Sequence, residues 1–472
     1  MNEEWLGSWW RPDNDTRVGG QLVLDDHGVQ LSLFGSLFDW SDFDLKKGVG
    51  FPLSSPQTAT VIRGRTIQPV SILNARCDFP VPPGAEGFEI WHADAIVEGD
   101  VDAAADGAEP RFDGLRLQLD TLPVWARARG VRQRIWFDER RTEVSVEPHD
   151  LASAVLGTGE RISIDQAAVT RSGTREYEIR QPVTIAIQGT VPDGWSELLN
   201  RWLQPLQILL WLATAVPGRV EQMELQLPDD DMPATRWARL WTSLLEPGGS
   251  SSRELHPTDV LFFATDLPGG FGAGLTRWLD LWAELQHVLG PLYARAAAPF
   301  AYANDRFYSA VAAIEAYHRY CVESERDLSR SEHRQRVARI DALVSEHAPD
   351  LRDWAVNAVR PFNRTPLWRR VVDIVETLPE MTEALLGGRG EAFARSVERS
   401  RHGHAHALAG PRDLDSGEAL YVAADALVWI LRTCVMIDLG LTPSDAESRV
   451  CRHERFRWTA RRLVGVLDRV AA

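Results

Sequence analysis

The apolar residues of this chain change period once. Before Pro268-Gly269-Gly270 they recur mostly at every second position; after it they recur at three and four. Two-residue alternation is what a strand with one buried face produces, and three-and-four spacing is what an amphipathic helix produces. The chain therefore reads as α+β, with a β-rich stretch over residues 1–270 and an all-helical bundle over 271–472. Its 472 residues are enough for two or three domains, each with a core of its own.

In the first stretch, Gln21–Leu24 and Val29–Phe34 alternate on either side of Asp25-Asp26-His27-Gly28, which predicts a hairpin. Alternation returns at 59–64, 70–73, 114–119 and 183–187, with glycine, proline and aspartate between the runs. Many short strands with turn signals predict a sandwich-like β domain or an open barrel. One helix is expected inside it, from about Trp195 to Ala215, before Met223–Leu227 resumes the strand pattern. Glu246–Ser252, rich in glycine and serine, reads as a loop.

In the second stretch, Leu275, Trp278, Leu279, Trp282, Leu285 and Val288 share a helical face. Tyr302 to Cys321 is predicted helical, with Phe307, Ala310, Val311, Ile314 and Tyr317 on one stripe. Further helices are expected at 331–347, 367–378, 393 to about 408, and 417–439, where Gly440 and Pro443 stop the last.

A net charge of −16 argues against a protein that coats nucleic acid without discrimination, because that binding runs on positive surface. It leaves room for a single basic cleft. The apolar run Leu206–Val216 is shorter than the roughly 20 residues a bilayer demands, so it predicts a buried helix and no membrane partner. Four cysteines with no CxxC pair indicate neither a zinc knuckle nor a disulfide framework. The opening Met1-Asn2-Glu3-Glu4-Trp5 has no secretion pattern, and a reducing cytoplasm is the expected setting. The 18 tryptophans are spread along the chain and read mainly as core anchors.

The residues that carry chemistry gather in Arg399-Ser400-Arg401-His402-Gly403-His404-Ala405-His406. Arginine grips phosphate in a planar fork, and histidine moves protons near neutral pH. Two Arg-x4-His registers fit, Arg399 with His404 and Arg401 with His406. Residues five apart do not share a face of a regular helix, so either pair converges best at a helix end or against a second copy. Two other readings stand beside this one. The run is a solvated helix face, or His402, His404 and His406 bind zinc, which their alternation allows on a strand but not on a helix. Asn363-Arg364-Thr365 and Arg369-Arg370 read either as an extension of a basic groove or as exposed helix-start residues. The arginines from Arg449 to Arg462 fit an amphipathic terminal helix or, as a second reading, a surface that grips RNA.

Arg401-His402-Gly403-His404-Ala405-His406 resembles the R-(polar)-x3-H motif of HEPN domains, helical bundles that often act as ribonucleases. Ala312-Ala313-Ile314-Glu315-Ala316-Tyr317-His318-Arg319 is similar to the first-helix segment of the ApeA-type HEPN branch. Gly7-Ser8-Trp9-Trp10-Arg11-Pro12, with Gly19-Gly20-Gln21-Leu22 after it, resembles the opening of the β-rich domain that precedes HEPN in ApeA-like anti-phage, abortive-infection proteins.

The resemblance implies a metal-independent endoribonuclease with no cofactor, acting on host RNA such as tRNA. His406 would transfer the proton, Arg401 would hold the phosphate, and His402 would orient or assist. Glu315 would orient Arg401 or a histidine, with Arg399 and His404 as supporting residues. A homodimer or larger homo-oligomer is implied, because one histidine per chain does not easily serve as both base and acid. The N-terminal part is assigned to sensing a phage-derived trigger and restraining the nuclease. The alternative is a HEPN bundle that binds a nucleotide, an RNA or a partner protein without cutting.

Overall fold

The computed structural model of the chain describes residues 3–12, 14, 16–25, 27–37, 57–79, 88–101, 109–128, 130, 132–136, 141–145, 149–172, 177–228, 236–242, 255–298, 302–321, 328–360, 363–405 and 413–471. The chain forms two compact units, Met1–Thr276 and Arg277–Ala472.

The N-terminal unit is built on antiparallel strands. Six of them are β1 (Glu3–Trp10), β2 (Val18–Asp25), β3 (Gly28–Leu33), β4 (Gln57–Arg65), β5 (Pro69–Phe79) and β6 (Glu89–Ala93). Their pairing runs β5-β4-β1-β2-β3-β6 and returns to β5 through Arg76↔His92 and Cys77↔Trp91, so the strands close into a barrel. The β2–β3 hairpin turns at the predicted Asp25–Gly28 segment, with Asp25 opposite Gly28. Alternation drives the closure. Leu22 and Leu24 of β2 and Val29, Leu31 and Leu33 of β3 point inward with Trp9, Ile62, Ile72 and Trp91 to form one buried core. Closure removes the exposed edges that an open sheet of this size would carry.

Trp9 needs special room. It lies opposite Gly64 across β1 and β4, and a Cβ at Gly64 would sit 2.2 Å from the indole ring. Inside the same barrel the buried Glu89 carboxylate is fully occupied. It accepts hydrogen bonds from the Leu37 amide at 2.8 Å, from the Trp91 indole N–H at 2.7 Å, and from the Ser36 hydroxyl.

β5 is long enough to have two partners on one edge. Beyond its barrel half, residues Ser71–Leu73 pair with β7 (Ala95–Val97). From there the sheet continues outside the barrel through β17 (Trp237–Thr242), β16 (Val220–Gln226), β8 (Arg111–Leu119), β15 (Val183–Gly194), β12 (Arg161–Gln166) and β11 (His149–Val155). β9 (Arg132–Trp136) with β10 (Arg141–Ser145), and β13 (Val169–Ser172) with β14 (Tyr177–Arg180), form two small hairpins. The short helix α1 (Leu122–Trp125) and the long α2 (Trp195–Thr214) pack together and against β8 and β15. From Leu206 to Thr214 nearly every side chain of α2 is buried, as the apolar run predicted. The predicted loop at 246–252 lies outside the described residues.

The C-terminal unit is helical. α3 (Phe271–Ala297) runs through the division between the units, and α4 (Ala303–Cys321) carries the predicted stripe: Phe307, Ala310, Val311, Ile314 and Tyr317 are all buried. α5 (Arg330–His347) and α6 (Arg352–Val359) form a hairpin, followed by α7 (Leu367–Val375), α8 (Pro379–Leu386), α9 (Gly390–Ala405), α10 (Gly417–Asp438), α11 (Pro443–Arg452) and α12 (Glu454–Ala471). α10 is the spine. It packs on α4 and α12, and α7 packs on α4 and α9.

α10 is also, among the described residues, the one helix long and apolar enough to cross a membrane, yet 78% of its most apolar window is buried within the structure. It ends at Gly440, whose φ of 108° an L side chain rarely adopts. α7 ends earlier than its apolar pattern suggests, at Val375. Leu378 precedes Pro379, and a residue before proline is pushed out of helical geometry; Leu378 has φ −127° and ψ 64°.

Candidate functional site

α9 carries the basic-histidine run as a helix through Ala405. Phe393, Ala394, Val397 and Ser400 form its buried stripe, so Arg399 and Arg401 emerge on the two flanks of that stripe. The two arginines meet different partners. Arg401 reaches α4, where its Nη2 lies 3.3 Å from Glu315 Oε2. Its side chain remains 47% exposed while that of Glu315 is 18% exposed, so the carboxylate is the sheltered member of the pair.

Arg399 turns to the chain that returns after the run. It pairs with Asp413, which also accepts a hydrogen bond from the Ser396 hydroxyl at 2.8 Å. The Ser400 hydroxyl accepts from the Leu414 amide at 3.0 Å. Residues 413 and 414 are thus fastened to α9 by three side chains within five positions of one another. Arg399 is engaged in that fastening, whereas Arg401 faces the polar flank of α4.

His402 is exposed. His404 lies in the last turn of α9, and His406 lies outside the described residues. In a helix, positions two apart are roughly 200° apart around the axis and so fall on opposite faces. Among the described residues, no group of three histidine, cysteine, aspartate or glutamate side chains is placed to hold one.

Glu315 has a neighbour that the sequence reading passed over. His318, one turn further along α4, is buried, and its Nε2 lies 3.1 Å from Asp373 Oδ2 of α7. Asp373 Oδ1 is in turn 2.8 Å from Arg369 Nε. The sequence holds one sign of this: 315 and 318 share a helix face. The partner, 55 residues away, could not be read from spacing. Arg369 is therefore ion-paired, and the adjacent Arg370 is buried, its Nε donating to the Thr365 carbonyl. Arg369 is thus an exposed helix-start residue, as one of the two sequence readings had it, though ion-paired, whereas Arg370 is not exposed. Asn363 is committed too, exchanging two 3.0 Å hydrogen bonds with the Leu328 backbone. Next to His318 on α4, the Tyr317 hydroxyl donates to Asp438 of α10 at 2.6 Å. Burial raises the Asp438 carboxyl above its ordinary value, an effect the Tyr317 bond and the Arg277 charge partly offset.

The terminal arginines are also mostly spoken for. Arg449 pairs with Asp445, Arg455 with Asp425, and Arg462 with Glu418. Glu315 thus holds the Arg401 guanidinium against α4 while the arginine side chain stays half exposed. An exposed, oriented guanidinium can donate two parallel N–H bonds to the oxygens of a phosphate.

Comparison with protein-family models gives two matches. A model described as ApeA N-terminal domain 1 matches residues 4–278, and one described as Apea-like HEPN matches residues 308–445. No curated protein and no solved structure matches the chain. The second match takes in Glu315, His318, Asp373 and the whole run from Arg399 to His406.

Proposed function

Because the chain belongs to the ApeA-like family, with an ApeA N-terminal domain followed by an Apea-like HEPN domain, we propose that it is an anti-phage endoribonuclease that cuts host RNA, tRNA among its substrates, and so aborts infection. The observation that carries this reading is Arg401, fixed against Glu315 and still half exposed, five residues before His406 in the HEPN-matched region.

In the proposed reaction the RNA 2′-OH attacks the adjacent phosphorus. Its proton passes to a histidine, the bond to the 5′-oxygen breaks, and that oxygen takes up a proton. The products are a 2′,3′-cyclic phosphate and a 5′-OH. His406 handles a proton. Arg401 neutralises charge gathering on the non-bridging oxygens, the role that oriented donors play in stabilising a transition state. His402 assists at the rim. Glu315 keeps the Arg401 fork from collapsing onto other acceptors. Base and acid are two roles, so a second copy of the motif across a homodimer completes the site.

The N-terminal unit is proposed to sense a phage-derived cue and restrain the nuclease. A cleft of about 600 Å³ in that unit supports a sensing role; in it the Arg127 guanidinium stacks 3.9 Å from the centre of the Phe263 ring.

The test is incubation of purified protein with total RNA in excess EDTA, followed by analysis of the ends. Cyclic-phosphate ends that are lost in Arg401→Ala are expected. RNA bound but never cut by the wild type would instead establish a binding module, and activity abolished by EDTA would revive the metal reading.

A further inference from the structure

The α5–α6 hairpin stands apart from the rest of the helical unit. α5 has no buried residue along its 18 positions, and Val356 is the buried residue of α6. The less exposed positions of α5, His333, Val337, Ile340 and Val344, form a seam toward α6. The remaining faces are open to solvent. Two contacts set the register of the hairpin: His333 with the Arg360 carbonyl at 3.0 Å, and Asp341 with Arg352 at 2.7 Å.

Charge is unevenly divided along this arm. Between residues 330 and 340, α5 carries Arg330, Arg334, Arg336 and Arg339 against Glu332 alone. The described residues level with it, 354–360, 363 and 364, add Arg360 and Arg364 and no acid. The far end carries Asp341, Glu346, Asp350 and Asp353 against Arg352 alone among its arginines and lysines. In a chain of net charge −16, the base of the arm is a concentrated cationic surface. Unlike the terminal arginines, the four α5 arginines have no carboxylate ion pair among the described residues; Arg336 acts on Glu332 only as a nearby charge. The register places Trp354, 73% exposed, level with Arg339.

The base of the arm connects to the candidate site through the start of α7. The Leu328–Asn363 hydrogen bonds clasp it shut, and α7 begins directly after. At the start of α7, the Trp368 amide meets Glu398 Oε1 of α9 at 3.4 Å, and the Arg395 guanidinium covers the Trp368 ring at 4.1 Å. Glu398 is one turn before Arg401.

We propose that the base of the α5–α6 arm is a phosphate-binding track that holds the body of a folded RNA while the strand to be cut lies at Arg401. The proposal rests on the reading of this unit as RNA-directed, and it names the substrate class: a structured RNA larger than the scissile segment. Ten residues of α5 span about 15 Å, enough to meet several successive phosphates. Trp354 supplies a stacking face beside them.

The test uses the full chain, an unmodified tRNA transcript and a five-nucleotide single-stranded RNA as probes. Arg334→Ala/Arg336→Ala/Arg339→Ala changes only exposed side chains, so folding should survive; its melting temperature is the control. tRNA affinity should fall at least about tenfold, and the slope of log affinity against log salt should shrink by about two to three. Trp354→Ala should weaken tRNA binding about fivefold. Cleavage of the short RNA should stay unchanged. Wild-type tRNA affinity and salt slope in the triple variant would overturn the proposal. So would a triple variant that binds tRNA normally but loses its oligomeric state, since the arm would then be a contact between copies of the chain. The two readings fail separately. Arm-dependent tRNA binding without any cleavage removes the nuclease and leaves the track; cleavage indifferent to the arm removes the track and leaves the nuclease.

Discussion

Glu315 of α4 holds Arg401 of α9 at 3.3 Å across the helix–helix contact, with the carboxylate sheltered and the guanidinium half exposed. A partly exposed ion pair of this kind contributes only about 0–1 kcal/mol to stability. Its consequence is orientation: one edge of the fork is occupied and the other is presented outward.

Glu315→Gln should therefore leave the melting temperature nearly unchanged while lowering RNA cleavage by about tenfold. Glu315→Gln combined with Arg401→Ala should be no worse than Arg401→Ala alone, because the glutamate acts through the arginine. A double variant whose losses multiply would assign Glu315 a separate job. Arg399→Ala, by contrast, breaks the fastening of Asp413 and should cost less activity than Arg401→Ala.

His318 makes the complementary case, a residue for structure. It is buried and bonded to Asp373, bridging α4 and α7. Removing it leaves a cavity and costs Asp373 a partner, an effect of about 1–3 kcal/mol. His318→Ala should lower the melting temperature of the helical unit by several degrees, read by calorimetry. A variant as stable as wild type would show that the bridge is dispensable.

Asp438 gives a pH signature. Burial raises its folded carboxyl pKa above the ordinary 3.8. Such a group binds its proton more tightly in the folded state. Its contribution to stability is fully present below 3.8 and is lost as pH rises through the elevated folded value. Asp438→Asn keeps an acceptor for the Tyr317 hydroxyl and has no proton to lose. Urea unfolding at pH 4 and pH 7 should show the variant gaining on wild type as pH rises. A variant that loses ground to wild type as pH rises would reverse the assignment.

Gly64→Ala tests the barrel. Its Cβ would lie 2.2 Å from the buried Trp9 ring, so the ring or the strand must move. Overpacking of this kind costs about 1–3 kcal/mol. The N-terminal unit should lose stability by that amount, seen in tryptophan fluorescence during unfolding, while Gly130→Ala, with nothing within 4 Å of the added carbon, should not.

Local patterns were the legible part of this fold. Alternation on either side of Asp25–Gly28 foretold the β2–β3 hairpin, and the Phe307–Tyr317 stripe foretold the buried face of α4. Barrel closure was not legible, because it depends on β5 pairing with both β6 and β7 along one edge, a long-range choice that no window of sequence contains. The same limit hid the Asp373 partner of His318. Arg370 was misjudged for a related reason: its position at a helix start looked exposed, but α7 packs between α4 and α9 and buries it. The Arg-x4-His spacing located the site without separating its two registers. Tertiary contacts distinguish the arginines, one fastened to Asp413 and one facing Glu315.

The most direct measurement is single-turnover cleavage of a tRNA transcript in excess EDTA by wild type and by His406→Ala, with the 3′ ends identified. Proton transfer by His406 predicts 2′,3′-cyclic phosphate ends from the wild type and a rate lower by about 10²–10⁴ in the variant, the span of general acid–base help. Cleavage at the wild-type rate by His406→Ala would contradict it.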